Sequence, residues 1–176
     1  MKQKIDFHYL MKLAPLLFKG KFEIEHYDRQ GKLLDKQTCP NGITNVGKNY
    51  ILDTMFNNQT QIAQSAWCIG LIDNAGGPVL SASDTMSSHA GWVELTAYTE
   101  STRVAWGSGS SSGQSTTNAT PATFDMNATN TVYGIFINSN NTKGGTSGTL
   151  WSTAAFSSTV PVNNGSIEPP QLAMAA

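Results

Sequence analysis

Apolar and polar positions alternate with a period of two along most of this chain, the pattern of strands half-buried in sheets. From residue 66 onward the pattern is uniformly of this kind. It predicts strands over 66–72, 91–98, 102–107, 122–127, 131–138, 148–156 and 158–163, separated by turn-rich pieces such as Asp73-Asn-Ala-Gly-Gly-Pro78. In 131–138, Tyr133, Ile135 and Ile137 fall on one face and Val132, Gly134 and Phe136 on the other. A strand apolar on both faces is covered on both, as in a sandwich core.

The first third of the chain adds other elements. Lys21 to Tyr27 alternates Phe22, Ile24 and His26 against Glu23, Glu25 and Tyr27. Asp28-Arg-Gln-Gly31 is a turn signal, and 32–38 completes a hairpin with Gly31 at the positive-φ position. His26 then sits on a strand face between apolar neighbours, where a structural role outweighs that of ligand or base. Pro40-Asn41-Gly42 makes a turn, and Thr44 or Asn45 can cap a helix over 45–56 with Val46, Tyr50, Ile51 and Phe56 on its apolar face. Gly47 in that helix costs about 1 kcal/mol relative to Ala. Gly47-Lys48 lacks the preceding glycine and the following Ser/Thr of a phosphate loop.

At the start, Leu10, Leu13 and Leu17 recur at helical spacing beside Tyr9 and Leu16, with Pro15 interrupting. Residues 1–20 are therefore an arm or short helix, which either packs on its own domain or reaches a neighbour. Asp6 and Lys12 break the apolar stretch, so it reads as neither signal peptide nor membrane anchor. At the other end Pro169-Pro170 is unsuited to a central strand. Residues 164–176 read as an extended tail, with a closing strand missing or shortened. The expected organisation is one β-sandwich domain over 21–163 between arm and tail. The expected fold is mainly β and antiparallel, jelly-roll-like, with one short helix near residues 45–56.

Composition narrows the function classes. Only 13% of residues are charged, against about 25% in an average domain; Ser, Thr, Asn, Gly and Ala fill the gap. Surfaces poor in charge desolvate cheaply against other protein surfaces. The formal net charge is −1, with Arg103 and Lys143 the only basic residues after residue 53. No Lys/Arg stripe of the kind that tracks nucleic acid is present. Cys39 and Cys68 lie outside any C-x-x-C pair or zinc spacing, and read as free, core-packed thiols. Gly107-Ser-Gly-Ser-Ser-Ser-Gly113 is flexible by composition and reads as part of a long surface loop over 107–121.

One stretch poses a chemical question. Asp84-Thr-Met-Ser-Ser-His-Ala-Gly-Trp-Val-Glu-Leu-Thr-Ala-Tyr98 holds two acids, two serines and a histidine. Ser88 beside His89 lacks the strand-to-helix G-x-S-x-G elbow of a serine hydrolase. Asp84 with Glu94 could serve as a glycosidase pair, and Asp84, His89 and Glu94 as three metal ligands. The structural reading explains more. Asp84 closes an Asx-type turn, and Gly91 admits the chain to a strand over 92–98. There Val93, Leu95 and Ala97 oppose Trp92, Glu94, Thr96 and Tyr98, and Glu94 pairs with Arg103 across the Thr99–Thr102 turn. No catalytic, metal-ligating or cofactor-binding residue is assigned.

The fragments "GKFEIEHYDRQGKLLDK", "NGITNVGKNYILDTMF", "WCIGLID", "DTMSSHAGWVELTAY" and "GTLWSTAAF", in this order over roughly residues 20–163, resemble small tailed-bacteriophage proteins encoded among the head genes. The resemblance implies a virion structural protein that is not an enzyme and takes no cofactor. The implied role is a capsid cement or decoration protein, made in the host cytoplasm and carried on the capsid surface. Its partners would be the major capsid protein and further copies of itself, as a trimer or dimer, with no nucleic acid and no membrane. The interaction residues expected are Tyr9, Leu10, Leu13, Leu16, Leu17 and Phe18, together with the 107–121 loop. Two alternatives are a tail or head-fibre component that binds a host glycan through Trp67, Trp92, Trp106 and Trp151, and a polysaccharide-degrading enzyme using Asp84 and Glu94.

Overall fold

A computed structural model describes residues 19–28 and 30–163, and the backbone of 171–175. Ten strands, one α-helix and one 3₁₀ turn (Gln64–Ala66) follow one another in it. Strands β1 (Lys21–Tyr27) and β2 (Leu33–Pro40) form the expected hairpin, one strand boundary shifted by a residue or two. Gly31 has φ 78°. The Asp28 carboxylate accepts the amide N–H groups of Gln30 and Lys32 at 2.9 and 2.8 Å, which locks the turn. With β7 (Ala122–Asp125) and β10 (Gln171–Ala175) the hairpin builds an antiparallel sheet of order β2-β1-β10-β7.

The second sheet holds β3 (Gly42–Ile43), β9 (Leu150–Val162), β8 (Asn130–Asn138), β4 (Cys68–Asp73) and β5 (Glu94–Leu95), in that order. Strand β6 (Val104–Ala105) pairs with β4 beside β5. The expectation of a mainly β, antiparallel fold with one short helix holds. The strand order itself does not define a jelly roll.

Several elements differ from the sequence expectation for identifiable reasons. Only Glu94–Leu95 of 92–98 and Val104–Ala105 of 102–107 pair as strand, because both share one edge of β4: Leu71 and Ile72 take β5, Cys68 and Ile69 take β6. Val93 is accordingly exposed, and Leu95 and Tyr98 enter the same core. The two segments 148–156 and 158–163 are one strand whose register against β8 shifts between Val132 and Gly134. A bulge reverses which face the side chains reach. Val132 therefore joins Ile135 and Ile137 in the core between the sheets, while Tyr133 packs with Phe136 on the other face. After Pro169-Pro170 the chain does not stay unpaired: residues 171–175 lie between β1 and β7, where a closing strand was expected to be missing or shortened.

The main core joins both sheets, with Phe22, Ile24 and Phe124 from one and Ile69, Leu71 and Ile135 from the other. A smaller cluster of Ile72, Met86, Trp92, Phe136 and Leu150 covers the opposite face of the larger sheet. The central strands are thus buried on both sides, as their two-faced apolarity predicts.

Gln37 seals the junction of the sheets. Its amide nitrogen donates to the Ser158 carbonyl at 3.0 Å, and its amide oxygen accepts from the Ser158 N–H at 3.0 Å. One side chain thus does for the bulged part of β9 what a neighbouring strand would do.

Helix α1 spans Asn45–Phe56, with Thr44 as the N-cap: its hydroxyl oxygen accepts the Gly47 N–H at 3.0 Å and its hydroxyl donates to the Leu150 carbonyl. Gly47 is not the tolerated defect that helix propensity suggests. A Cβ there would lie 2.6 Å from the Trp151 carbonyl oxygen, so the glycine lets the helix sit directly on β9. Gly47→Ala is therefore expected to destabilise by about 1–3 kcal/mol, where propensity alone would give a gain of about 1 kcal/mol. Urea unfolding decides the sign. Phe56, expected on the buried side, is 64% exposed.

Candidate functional site

The two acids of the questioned stretch hold different things. Asp84 Oδ2 accepts the Ser81 N–H at 2.9 Å and the Trp92 indole N–H at 3.0 Å. The carboxylate thus turns back to Ser81 and across to Trp92, not forward as a simple Asx turn would. His89 stacks on Trp92 with ring centroids 4.0 Å apart, and its Nδ1 lies 3.0 Å from the Trp92 carbonyl oxygen. Ser87 Oγ is within 3.2 Å of the Thr85 hydroxyl. Trp92, 3% exposed, is the plug that this loop holds against Phe136 at 5.2 Å.

Glu94 pairs with Arg103, as expected from the short turn between them. Arg103 Nε donates to Oε1 at 2.9 Å and Nη2 to Oε2 at 2.6 Å, a bidentate fork with side chains 0% and 5% exposed. Arg103 also donates to the carbonyls of Asn140 (2.8 Å) and Gly145 (2.6 Å), and Glu94 Oε2 accepts the Gly144 N–H at 3.0 Å. The guanidinium lies 5.2 Å from the centroid of the Phe136 ring. Lys143 completes the knot: its ammonium donates to the carbonyls of Tyr98 and Glu100 and lies 4.2 Å from the Tyr98 ring centroid. The function of this network in the fold is to tie the 139–149 loop to the β5–β6 region. Sequence reasoning found its central pair but missed the loop carbonyls, for which no local signal exists.

Asp84, His89 and Glu94 are not brought together as ligands. Among the described residues no group of three His, Cys, Asp or Glu side chains is placed to hold a metal ion. Cys39 and Cys68 are free and buried. Burial pushes both thiols up to about 11, away from the thiolate form a nucleophile needs; Cys68 also donates to the carbonyls of Asn138 and Asn140. Trp67, Trp106 and Trp151 pack against the main core.

His26 is buried, and burial holds its imidazolium below the ordinary histidine value of 6.5, with the Asp35 charge opposing. The unfolded chain therefore binds the proton more readily than the folded one. The stability His26 contributes is full above pH 6.5 and is lost as pH falls through the lowered folded value. His26→Gln is expected to flatten the dependence of the urea midpoint on pH between 7.5 and 5.

The 107–121 segment is ordered where composition suggests flexibility. Gly109 N–H donates to the Thr117 carbonyl at 2.7 Å, Ser112 and Ser115 exchange both amide bonds, and Ala119 N–H closes on the Gly107 carbonyl. Gly113 and Gln114 at the tip have φ 57° and 64°, the two positive values of a type I′ hairpin turn. The result is a β-ribbon whose exposed residues are Ser, Thr, Gly, Gln and Ala119, without a charge. A cleft of about 490 Å³ separates Ser115–Thr117 of the ribbon from Lys19–Lys21 and Glu23 at the start of β1. The interaction residues expected in the arm, Tyr9, Leu10, Leu13, Leu16, Leu17 and Phe18, lie outside the described residues. A second exposed feature was not expected: Leu52, Met55 and Phe56 of α1, at 41%, 65% and 64% exposure.

No helix among the described residues is long and apolar enough to cross a membrane. No protein-family model matches the chain, and no curated protein matches it.

Proposed function

We propose that this chain is a bacteriophage virion structural protein, a cement or decoration protein that binds between major capsid subunits. The observation that carries the reading is the uncharged ribbon over 107–119. A preformed hairpin loses little conformational freedom on docking. Its hydroxyl and amide groups can meet backbone and side-chain partners without desolvating an ion. The sheet body behind it, locked by the Glu94–Arg103 network, supplies a rigid base. Attachment only to the assembled lattice stabilises the shell by linkage, and each symmetric copy repeats the effect. The acids of the 84–98 stretch are committed to Trp92 and Arg103, which favours binding over turnover.

The test is reconstitution. Purified protein added to particles that lack it is expected to decorate the lattice at one copy or oligomer per repeating site, visible by cryo-electron microscopy, and to raise the temperature of shell disruption. A ribbon shortened by deleting 110–117 should fold and fail to attach. Attachment at a single vertex or tail would support the fibre alternative instead, and attachment unaffected by the deletion would remove the ribbon from the contact.

A further inference from the structure

We infer that the apolar face Leu52–Met55–Phe56 of α1 is a docking site for the chain's own N-terminal segment, residues 9–18. The three side chains stand at i, i+3 and i+4, one stripe of a helix, and all three are exposed. The outward face of α1 begins with the polar Asn45, Lys48 and Asn49 and ends with this apolar stripe, while on the other side Gly47 lies against Trp151 and Tyr50 meets Trp67 edge-on at 5.7 Å. An amphipathic helix with a second apolar stripe facing water has a partner to find.

Position and reach name the occupant. The described chain begins at Lys19, and the Gly20 carbonyl accepts the Asn41 N–H at 3.1 Å, four positions before α1 starts. The described chain thus begins beside the segment that leads into this helix. α1 is about 18 Å long at about 1.5 Å per residue, and eighteen residues span up to about 60 Å when extended. That segment carries Tyr9, Leu10, Leu13, Leu16 and Leu17, apolar groups of the kind the stripe lacks. Charge agrees: Lys12 is the only charged residue of 9–18, and the last turn of α1 has no basic residue to meet its carbonyl end. Size agrees too. Three partly exposed side chains offer on the order of 300 Å², taking about 150–250 Å² for a large one. That is far below the roughly 1,200 Å² of a stable interface between separate proteins, but enough for a tethered segment at high effective concentration.

Hydrogen exchange read by mass spectrometry on the full chain tests this without any capsid. Amides of residues 9–18 are expected to exchange at least tenfold more slowly than an unstructured peptide. Met55→Asp with Phe56→Asp should restore free exchange there while the amides of β4 and β8 stay protected. Leu13→Asp with Leu17→Asp should do the same from the other side, which keeps the test open if the helix variant fails to fold. Free exchange of 9–18 in the unaltered protein, or protection that survives both pairs of substitutions, overturns the inference. Protection that disappears on dilution overturns it as well, since the segment would then cover the helix of a second copy. None of these outcomes bears on whether the ribbon binds a capsid.

Discussion

Arg103→Ala is expected to destabilise the domain by about 3–5 kcal/mol, the range for breaking a buried ion pair from one side. The cause is what remains. Glu94, 9% exposed, would be left buried without the fork that pairs with it, the Gly145 carbonyl would lose its donor, and the Asn140 carbonyl would keep only Cys68 Sγ and Asn138 Nδ2. Arg103→Lys should fall between: one ammonium cannot reproduce the bidentate geometry and the two carbonyl bonds together. Replacing both partners, Arg103→Met with Glu94→Leu, removes the stranded charge and should recover much of the loss. It should not recover all of it, because the Gly144 N–H and the Gly145 carbonyl are still unpaired, at about 1–3 kcal/mol for each that stays buried. Urea denaturation of the four proteins measures the series. A loss below about 1 kcal/mol for the alanine variant would mean that the pair behaves as a surface bridge and that the 139–149 loop is held by other means.

What could be read in advance follows from how local each cause is. The β1–β2 hairpin was legible because alternation and the Asp28–Gly31 turn act within a dozen residues. The Glu94–Arg103 pair was legible because a short turn brings the two residues back together, although β5 and β6 follow one another along one edge of β4 and do not pair with each other. Gly47 was not: its partner Trp151 is distant in the chain, so propensity saw only a poor helix former. The exchange of faces between Val132 and Tyr133 depends on a bulge opposite β9, which alternation within β8 cannot register. Pro169-Pro170 suggested an end to pairing, yet proline restricts only its own position and the one before it, and β10 begins at the next residue. The ribbon was hidden by composition. Ser and Gly suggest flexibility, while the order comes from cross-ribbon amide bonds and the Gly113–Gln114 turn. The exposed stripe on α1 escaped because a helical pattern says that apolar residues want cover, without saying which of them the described fold covers.

The second large effect is expected at the pair Gly70 and Phe136. They are directly opposite on β4 and β8, and a Cβ at Gly70 would lie 2.3 Å from the Phe136 ring. The far end of the ring, Cζ and Cε1, occupies the space a side chain at Gly70 would take. Trp92 packs beside it, and the Arg103 guanidinium lies 5.2 Å from its centroid. Phe136→Ala should cost about 3–5 kcal/mol, the transfer and cavity terms of a fully buried aromatic. Gly70→Ala alone should cost about 1–3 kcal/mol, because the methyl must displace a ring that Trp92 and Arg103 hemmed in. Combined, the two should not add. With the ring gone, the Gly70→Ala methyl enters vacated space and fills part of the cavity, so its cost should vanish or change sign. A double-mutant cycle by urea unfolding reads this directly, with a coupling of about 1–3 kcal/mol expected in the favourable direction. Strict additivity would show that the ring relaxes away from residue 70 at no cost, and that the packing of Trp92 and Arg103 does not depend on where the ring lies.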